Sequence, residues 1–176
     1  MDWRWRVNAL VTGYDDEKFW RMMFVCRKQA ANPFYRLYQY ICWARIRRIE
    51  SKFCASLGTR VGGSESCSVF HGKPHLPHGI NGVLVGNGAT VGQRVTILPF
   101  VTLADCVSVG DDCFIGVGAT VCRGARVGNR VNIGANCVVI EDVPDNATVV
   151  MQKPRVILRD ASHHREKPHV DSWAQQ

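Results

Sequence analysis

The chain has 176 residues, of which 46% are apolar and 21% charged, so it can bury a core and is not a disordered chain. Its net charge of +7 is concentrated in residues 1–60, which contain 12 basic and 5 acidic side chains. The other 116 residues carry 10 of each. The body of the protein is therefore neutral, which argues against a nucleic-acid-binding domain.

The sequence has no recognisable membrane span or export signal, and its cysteines do not have metal-binding spacing. No run of eighteen apolar residues is present, and the first residues lack the apolar stretch of an export signal. We therefore expect a cytoplasmic protein without a transmembrane helix. The eight cysteines include no Cys-x-x-Cys pair, so we expect free thiols and no metal site.

Two helices are predicted ahead of the rest of the domain, over residues 15–31 and 34–53. The second has arginines over much of its surface and groups its apolar side chains towards one side: Leu37, Tyr38, Ile41, Ala44 and Ile49. A basic aromatic helix also suits an anionic membrane surface. We favour packing of this side against a partner subunit or the end of the following domain, with the arginines in solvent.

A sixfold repeat fills residues 85–144. Every sixth position is a large aliphatic residue, where an unpatterned chain would place one about a quarter of the time. The ten consecutive members are Val85, Val91, Ile97, Leu103, Val109, Ile115, Val121, Val127, Ile133 and Val139. This period fits neither a helix nor a lone strand, and it predicts a parallel β-helix with three six-residue edges per coil.

Small residues form two further columns in the same register. The residue after each aliphatic is usually glycine or alanine, and we expect glycines to supply the turn conformations of the repeat. The fourth residue after it is small or β-branched, and Cys113 and Cys137 fall in that column. Both cysteines are therefore predicted to be packing residues.

An irregular segment, residues 70–82, interrupts the pattern with prolines and glycines. It contains His71, His75 and His78, whereas the regular repeats contain no histidine. Loops that leave a rigid scaffold often carry chemistry. The domain organisation predicted from these features is a helical segment over 1–57, a β-helix over 58–150, and a closing segment with a polar tail over 151–176.

Several segments resemble the hexapeptide-repeat acyltransferases. They are residues 77–85 (PHGINGVLV), 91–97 (VGQRVTI), 115–121 (IGVGATV) and 133–140 (IGANCVVI), the last followed by Asp142-Val-Pro. Within that family the chain is similar to the branch of serine O-acetyltransferases and capsule or lipopolysaccharide sugar O-acetyltransferases. The resemblance implies a left-handed β-helix, a homotrimer with sites at subunit interfaces, and acetyl-CoA as co-substrate without a metal.

The resemblance also implies roles for individual residues. His78 matches the catalytic histidine and would act as general base, because an imidazole can take the proton of an attacking hydroxyl near neutral pH. Val117 and Ala135 stand where the family binds the coenzyme through main-chain groups, and Lys153 and Arg155 would face its phosphates. For the acceptor we expect contacts from His75, Asn81 and Phe100.

Two departures from the serine enzymes concern the acceptor. Their second active-site histidine is absent, because Val101-Thr-Leu-Ala runs directly into Asp105-Cys-Val-Ser. Cys54 stands where the family carries the aspartate that orients the base. Either Glu65 or a main-chain carbonyl orients His78 instead, or the base has less support than is usual in the family. Both departures favour a hydroxyl of a sugar or glycan precursor over L-serine.

Two other classes share this scaffold. A γ-type carbonic anhydrase would need zinc-binding histidines on different coils, but the three central histidines lie in one loop. A non-catalytic assembly protein would make His78 and Arg155 incidental, and the absence of CoA binding would identify it. We therefore expect an acetyl-CoA-dependent O-acetyltransferase, with L-serine as the alternative acceptor.

Overall fold

The computed structural model describes residues 14–30, 32–59 and 67–152. Two helices, α1 (Asp16–Arg27) and α2 (Pro33–Lys52), precede twelve two-residue strands. The strands are β1 (Val69–Phe70), β2 (Leu84–Val85), β3 (Thr90–Val91), β4 (Thr96–Ile97), β5 (Thr102–Leu103), β6 (Ser108–Val109), β7 (Phe114–Ile115), β8 (Thr120–Val121), β9 (Arg126–Val127), β10 (Asn132–Ile133), β11 (Val138–Val139) and β12 (Thr148–Val149).

Side-chain caps define the helix ends. The Asp15 carboxylate accepts from the Lys18 N–H at the start of α1, and the Asn32 side chain accepts from the Tyr35 N–H at the start of α2. The first helix ends at Arg27, four residues earlier than predicted. Its end is fixed from outside, because the Gln39 amide donates to the carbonyl oxygens of Val25 (2.9 Å) and Lys28 (2.6 Å).

The helices pack on the β-helix through faces that the sequence only partly indicates. The buried side of α1 is aromatic, and its Trp20 ring lies edge-on to Phe70 with centroids 5.2 Å apart. The buried residues of α2 are Gln39, Cys42, Ile46 and Glu50. The expectation that the Leu37–Ile41 side packs on the end of the domain is therefore wrong, because side-chain hydrogen bonds draw Gln39 and Glu50 inside instead.

The repeat forms three parallel sheets that make the faces of a prism. Sheet 1 contains β2, β5, β8 and β11; sheet 2 contains β1, β3, β6 and β9; sheet 3 contains β4, β7, β10 and β12. The ten aliphatic residues of the repeat occupy the second position of β2 to β11, and all are buried. Cys113 and Cys137 are buried in the packing column, as predicted. The predicted fold class, mainly β with a parallel β-helix behind two helices, is confirmed.

Each turn between two edges, from the one after β2 to the one after β10, has one residue with positive φ, three positions after the aliphatic residue. The glycine column lies one position after the aliphatic residue, so it does not coincide with these turn residues. Within the described residues, eight non-glycine residues have positive φ, and Phe100, Asp112 and Asn136 are among them. Glycines of the column, such as Gly86 and Gly116, are needed for close approach: a Cβ there would lie 2.5 Å from Asp105 N and 2.6 Å from Ala135 N of the next coil. Glycines do supply the turn conformation at Gly88, Gly118 and Gly124, as expected, whereas the glycines of the column are required by the close approach of the next coil.

The two ends of the β-helix differ from its regular middle. Ser56 pairs with Leu84, so the first coil begins soon after α2. In the last coil, partners are 16 residues apart instead of 18, as in the bond from Arg130 Nε to Asn146 Oδ1. The division at residues 57 and 150 stays a prediction. Neither described helix is long and apolar enough to cross a membrane.

Candidate active site

The candidate site is one corner of the prism, where the chain passes from sheet 3 to sheet 1. We call it the candidate corner; it comprises residues 76–83, 98–101, 116–119 and 134–137. Main-chain hydrogen bonds run down it from coil to coil: Phe100 N to Asn81 O (3.0 Å), Gly118 N to Pro99 O (3.0 Å) and Asn136 N to Val117 O (2.8 Å). Five of the predicted site residues, His78, Asn81, Phe100, Val117 and Ala135, therefore share one corner of successive coils.

The loop that carries His78 is anchored by three buried side chains, Leu76, Ile80 and Val83. Between these anchors the chain turns outward, with positive φ at Gly79 and Gly82. The Phe100 ring lies against Gly82, so closely that a Cβ at residue 82 would overlap it. The irregular sequence of the loop thus forms a defined turn over residues 76–83, at the N-terminal end of the candidate corner.

The His78 side chain is exposed. The Asn81 amide donates to the His78 carbonyl oxygen at 2.7 Å, which fixes the turn behind the imidazole. Among the residues that the structure describes, no hydrogen bond or ion pair holds the imidazole itself. Cys54, at the position of the family's aspartate, is exposed, and the adjacent Phe53 carbonyl accepts from Gly82 N at 2.9 Å. Glu65 lies outside the described residues.

Val117 and Ala135 present main-chain N–H groups at the candidate corner. At the corner between sheets 2 and 3, the equivalent N–H groups of Gln93, Asp111 and Asn129 donate to an Asp or Asn side chain one coil below. The candidate corner has Pro99, Val117 and Ala135 at these positions, and in the described structure the N–H groups of Val117 and Ala135 have no acceptor. They are therefore available to a ligand.

His75 lies beside the candidate corner and not on it. Its backbone pairs with Thr96 and extends sheet 3 by one position. Its side chain helps to line a groove of about 420 Å³ with Leu76, Lys73 and Arg94. Lys153 and Arg155, the predicted phosphate contacts, lie outside the described residues.

Residues at the start of the helical segment hold the loop, and they are not among the predicted site residues. The Lys73 ammonium contacts the Asp16 carboxylate at 2.5 Å, and the Tyr14 ring lies next to Gly79. Burial, with Asp16 adding to it, raises the pKa of Tyr14 well above its usual value, so its hydroxyl stays protonated and donates to Asp16 at 3.0 Å. Neither contact has a local sequence signal, because each joins segments that are distant in the chain.

The described residues include no group of three or more metal-ligating side chains. The three histidines of the loop have separate surroundings, and His75 and His78 are both exposed. The geometry offers one exposed imidazole above a column of free main-chain donors. Such an arrangement can accept a proton and bind a polar, extended ligand.

Comparisons with known proteins agree with the fold. Residues 88–123 and 106–141 match the family "Bacterial transferase hexapeptide (six repeats)". A comparison with curated proteins found no match. Among solved structures, the serine acetyltransferase of Neisseria gonorrhoeae in complex with serine is similar, with 27% identity, a TM-score of 0.51, and coverage of 68% of this chain and 48% of that one.

Two further serine acetyltransferases share the fold. Isoform 3 from Entamoeba histolytica, in complex with cysteine, has 22% identity and a TM-score of 0.53 over 70% of this chain and 44% of its own. Another, also in complex with cysteine, has 21% identity and a TM-score of 0.57 over 88% of this chain and 58% of its own. The chain thus spans about half the length of these structures.

The family match and the observed β-helix lead to the same conclusion: residues 88–141 of the chain carry the repeat of the bacterial transferase hexapeptide family.

Proposed function

We propose that the chain is an acetyl-CoA-dependent O-acetyltransferase that modifies a hydroxyl of a sugar or glycan precursor, with His78 as general base. The observation that carries the proposal is the candidate corner, which joins the exposed His78 turn to the free N–H groups of Val117 and Ala135. The family match and the similarity to serine acetyltransferases support the same reaction class.

In the proposed reaction, the His78 imidazole takes the proton of the acceptor hydroxyl as its oxygen attacks the thioester carbonyl carbon. A tetrahedral intermediate forms, and a main-chain N–H of the corner stabilises its oxyanion. The carbon–sulfur bond then breaks, and the imidazolium returns its proton to the CoA thiolate. Val117 and Ala135 bind the coenzyme through their N–H groups, and Lys153 and Arg155 are proposed to face its phosphates.

The acceptor site is proposed to use His75, Asn81 and Phe100. Phe100 is 64% exposed at the candidate corner and offers an aromatic face, while His75 lines the adjoining groove. The candidate corner is open to solvent at Phe100, Val117 and Ala135. We therefore propose a homotrimer in which a neighbouring subunit supplies a further wall of the site.

L-Serine is the second candidate acceptor, because the similar Neisseria gonorrhoeae enzyme was solved with serine. The strand register argues for a sugar instead. Strands β5 and β6 follow each other at the regular six-residue interval, so no loop leaves the β-helix where the serine enzymes carry their second histidine. An L-serine site here would need another residue in that place.

The proposal is tested by following thiol release from acetyl-CoA with L-serine, amino sugars, nucleotide sugars and capsule-type oligosaccharides, together with calorimetry of CoA binding. Release that depends on a sugar acceptor supports the proposal. Thiol release with L-serine alone would mean that the acceptor is L-serine and not a sugar. A chain that does not bind CoA would be an assembly protein and not an acetyltransferase.

A further inference from the structure

The outward side of the helix pair has an exposed apolar stripe bordered by cations. Phe34, Leu37, Tyr38 and Ile41 lie at the i, i+3, i+4 and i+7 spacing of one helix face and are 83%, 60%, 52% and 50% exposed. We call this stripe and its neighbouring exposed cations the outer helix face. The cations are Lys18, Arg21, Arg45 and Arg48.

Three arginines on the exposed surface of α2 have no acidic partner on that helix. The helix contains four arginines and one lysine, and its only carboxylate is Glu50. Glu50 is 1% exposed, and it accepts from Leu57 N at 2.8 Å and from Arg47 at 3.1 Å. This carboxylate therefore faces inward, and Arg36, Arg45 and Arg48 face the solvent without an acidic partner on their own helix.

The grooves between α1 and α2 are also lined by apolar and basic side chains. Two adjoining grooves of about 190 and 230 Å³ run between the helices. Met22, Ile41 and Ile49 contribute their apolar lining, and Lys18, Arg45 and Arg48 their charge. Asp15 and Glu17 lie at the start of α1, where Asp15 caps the helix and Glu17 pairs with Arg21 at 2.7 Å.

We propose that the outer helix face binds the surface of an anionic phospholipid membrane. The apolar stripe would enter the boundary between headgroups and acyl chains, and the arginines beside it would contact the lipid phosphates. Charge complementarity favours this partner over a second copy of the chain, because two copies joined through this face would bring their arginines together. The proposal does not depend on the acetyltransferase activity.

The test is flotation of the full chain with vesicles of phosphatidylcholine alone and of phosphatidylcholine mixed with phosphatidylglycerol. We expect binding only to the anionic vesicles, weakened by added salt. Arg45→Gln/Arg48→Gln should lower the partition coefficient roughly 30-fold, at about fivefold for each cation near the surface. Leu37→Ser/Ile41→Ser should lower it about tenfold or more by removing apolar contact.

The matched control is Arg123→Gln/Arg126→Gln, which removes the same charge from exposed positions of the β-helix. This variant should keep most of the binding, and circular dichroism should show that all variants are folded. The proposal is overturned if the chain ignores anionic vesicles, or if the control weakens binding as much as Arg45→Gln/Arg48→Gln. It is also overturned if Leu37→Ser/Ile41→Ser dissociates an oligomer in sedimentation velocity without changing vesicle binding.

Discussion

The N–H of Phe100 donates to the Asn81 carbonyl oxygen at 3.0 Å, and this bond fastens the loop that carries His78 to the regular β-helix. The Asn81 side chain in turn donates to the His78 carbonyl oxygen. A rigid coil thus positions the imidazole through main-chain bonds, although the side chain itself is free to rotate towards a substrate.

The contact between Gly82 and Phe100 should make the loop sensitive to a single methyl group. Gly82→Ala places a Cβ against the Phe100 ring at a position where φ is +63°. We expect a loss of about 2 kcal/mol or more in the free energy of unfolding, measured by urea denaturation. Gly124→Ala is the control, because its φ is +77° but nothing lies within 4 Å; it should cost about 1 kcal/mol.

The same pair allows a rescue experiment. Phe100→Ala removes the ring that the new methyl group meets, so the double variant Gly82→Ala/Phe100→Ala should be more stable than the sum of the two single effects predicts. Additive effects would mean that the ring does not lie against residue 82.

The free N–H groups of the candidate corner predict how a proline substitution affects ligand binding. Pro99 already occupies the position equivalent to Val117 and Ala135 in the coil above, so Ala135→Pro should fold normally. Because it removes one donor, we expect acetyl-CoA binding, measured by calorimetry, to weaken roughly tenfold.

Arg123→Pro is the matched control for Ala135→Pro. Residue 123 holds the same turn position at the corner between sheets 1 and 2, and its N–H likewise has no acceptor in the described structure. This variant should leave acetyl-CoA binding unchanged. Equal weakening by both prolines would place the coenzyme elsewhere.

The buried carboxyl of Glu50 predicts a pH-dependent stability term. Burial raises its pKa above the usual 4.5, so the folded state binds this proton more tightly than the unfolded state does. Stability from this group is therefore lost as the pH rises from about 4.5 through the raised pKa. Glu50→Gln cannot lose a proton, so its stability relative to the wild type should be higher at pH 7 than at pH 4.

The free energy of unfolding is measured by urea denaturation for Glu50→Gln and for the wild type at each pH. The contributions of all other titrating groups cancel in the difference between the two proteins. A difference that does not change with pH would mean that Glu50 titrates alike in the folded and unfolded states. The hydrogen bonds that it accepts from Leu57 and Arg47 would then offset its burial.

The sequence predicts the β-helix closely because a period of six has one structural solution, and each aliphatic of the column is the second residue of a strand. The register also explains why Phe100, Val117 and Ala135 share the candidate corner, since they fall in the turns of successive coils. His78 and Asn81 lie in the irregular segment, which the repeat does not place. The buried face of α2 could not be predicted. Gln39 and Glu50 are buried through bonds to the end of α1 and to Leu57, and such long-range contacts leave no periodic signal.

The glycine column shows a related limit. Its members look like turn residues in sequence, but those such as Gly86 and Gly116 are required by the approach of the next coil. The attachment of α1 to the loop through Lys73 and Asp16 is equally invisible, because surface ion pairs have no fixed spacing.

The most direct test of the proposed active site is the kcat/KM for acetyl transfer in His78→Ala beside His71→Ala. Both residues are exposed in the same segment, but only His78 lies on the candidate corner. The proposed mechanism predicts that His78→Ala lowers kcat/KM by roughly 100-fold or more, with acetyl-CoA binding retained, and that His71→Ala has little effect. Full activity in His78→Ala would contradict the assignment of the general base.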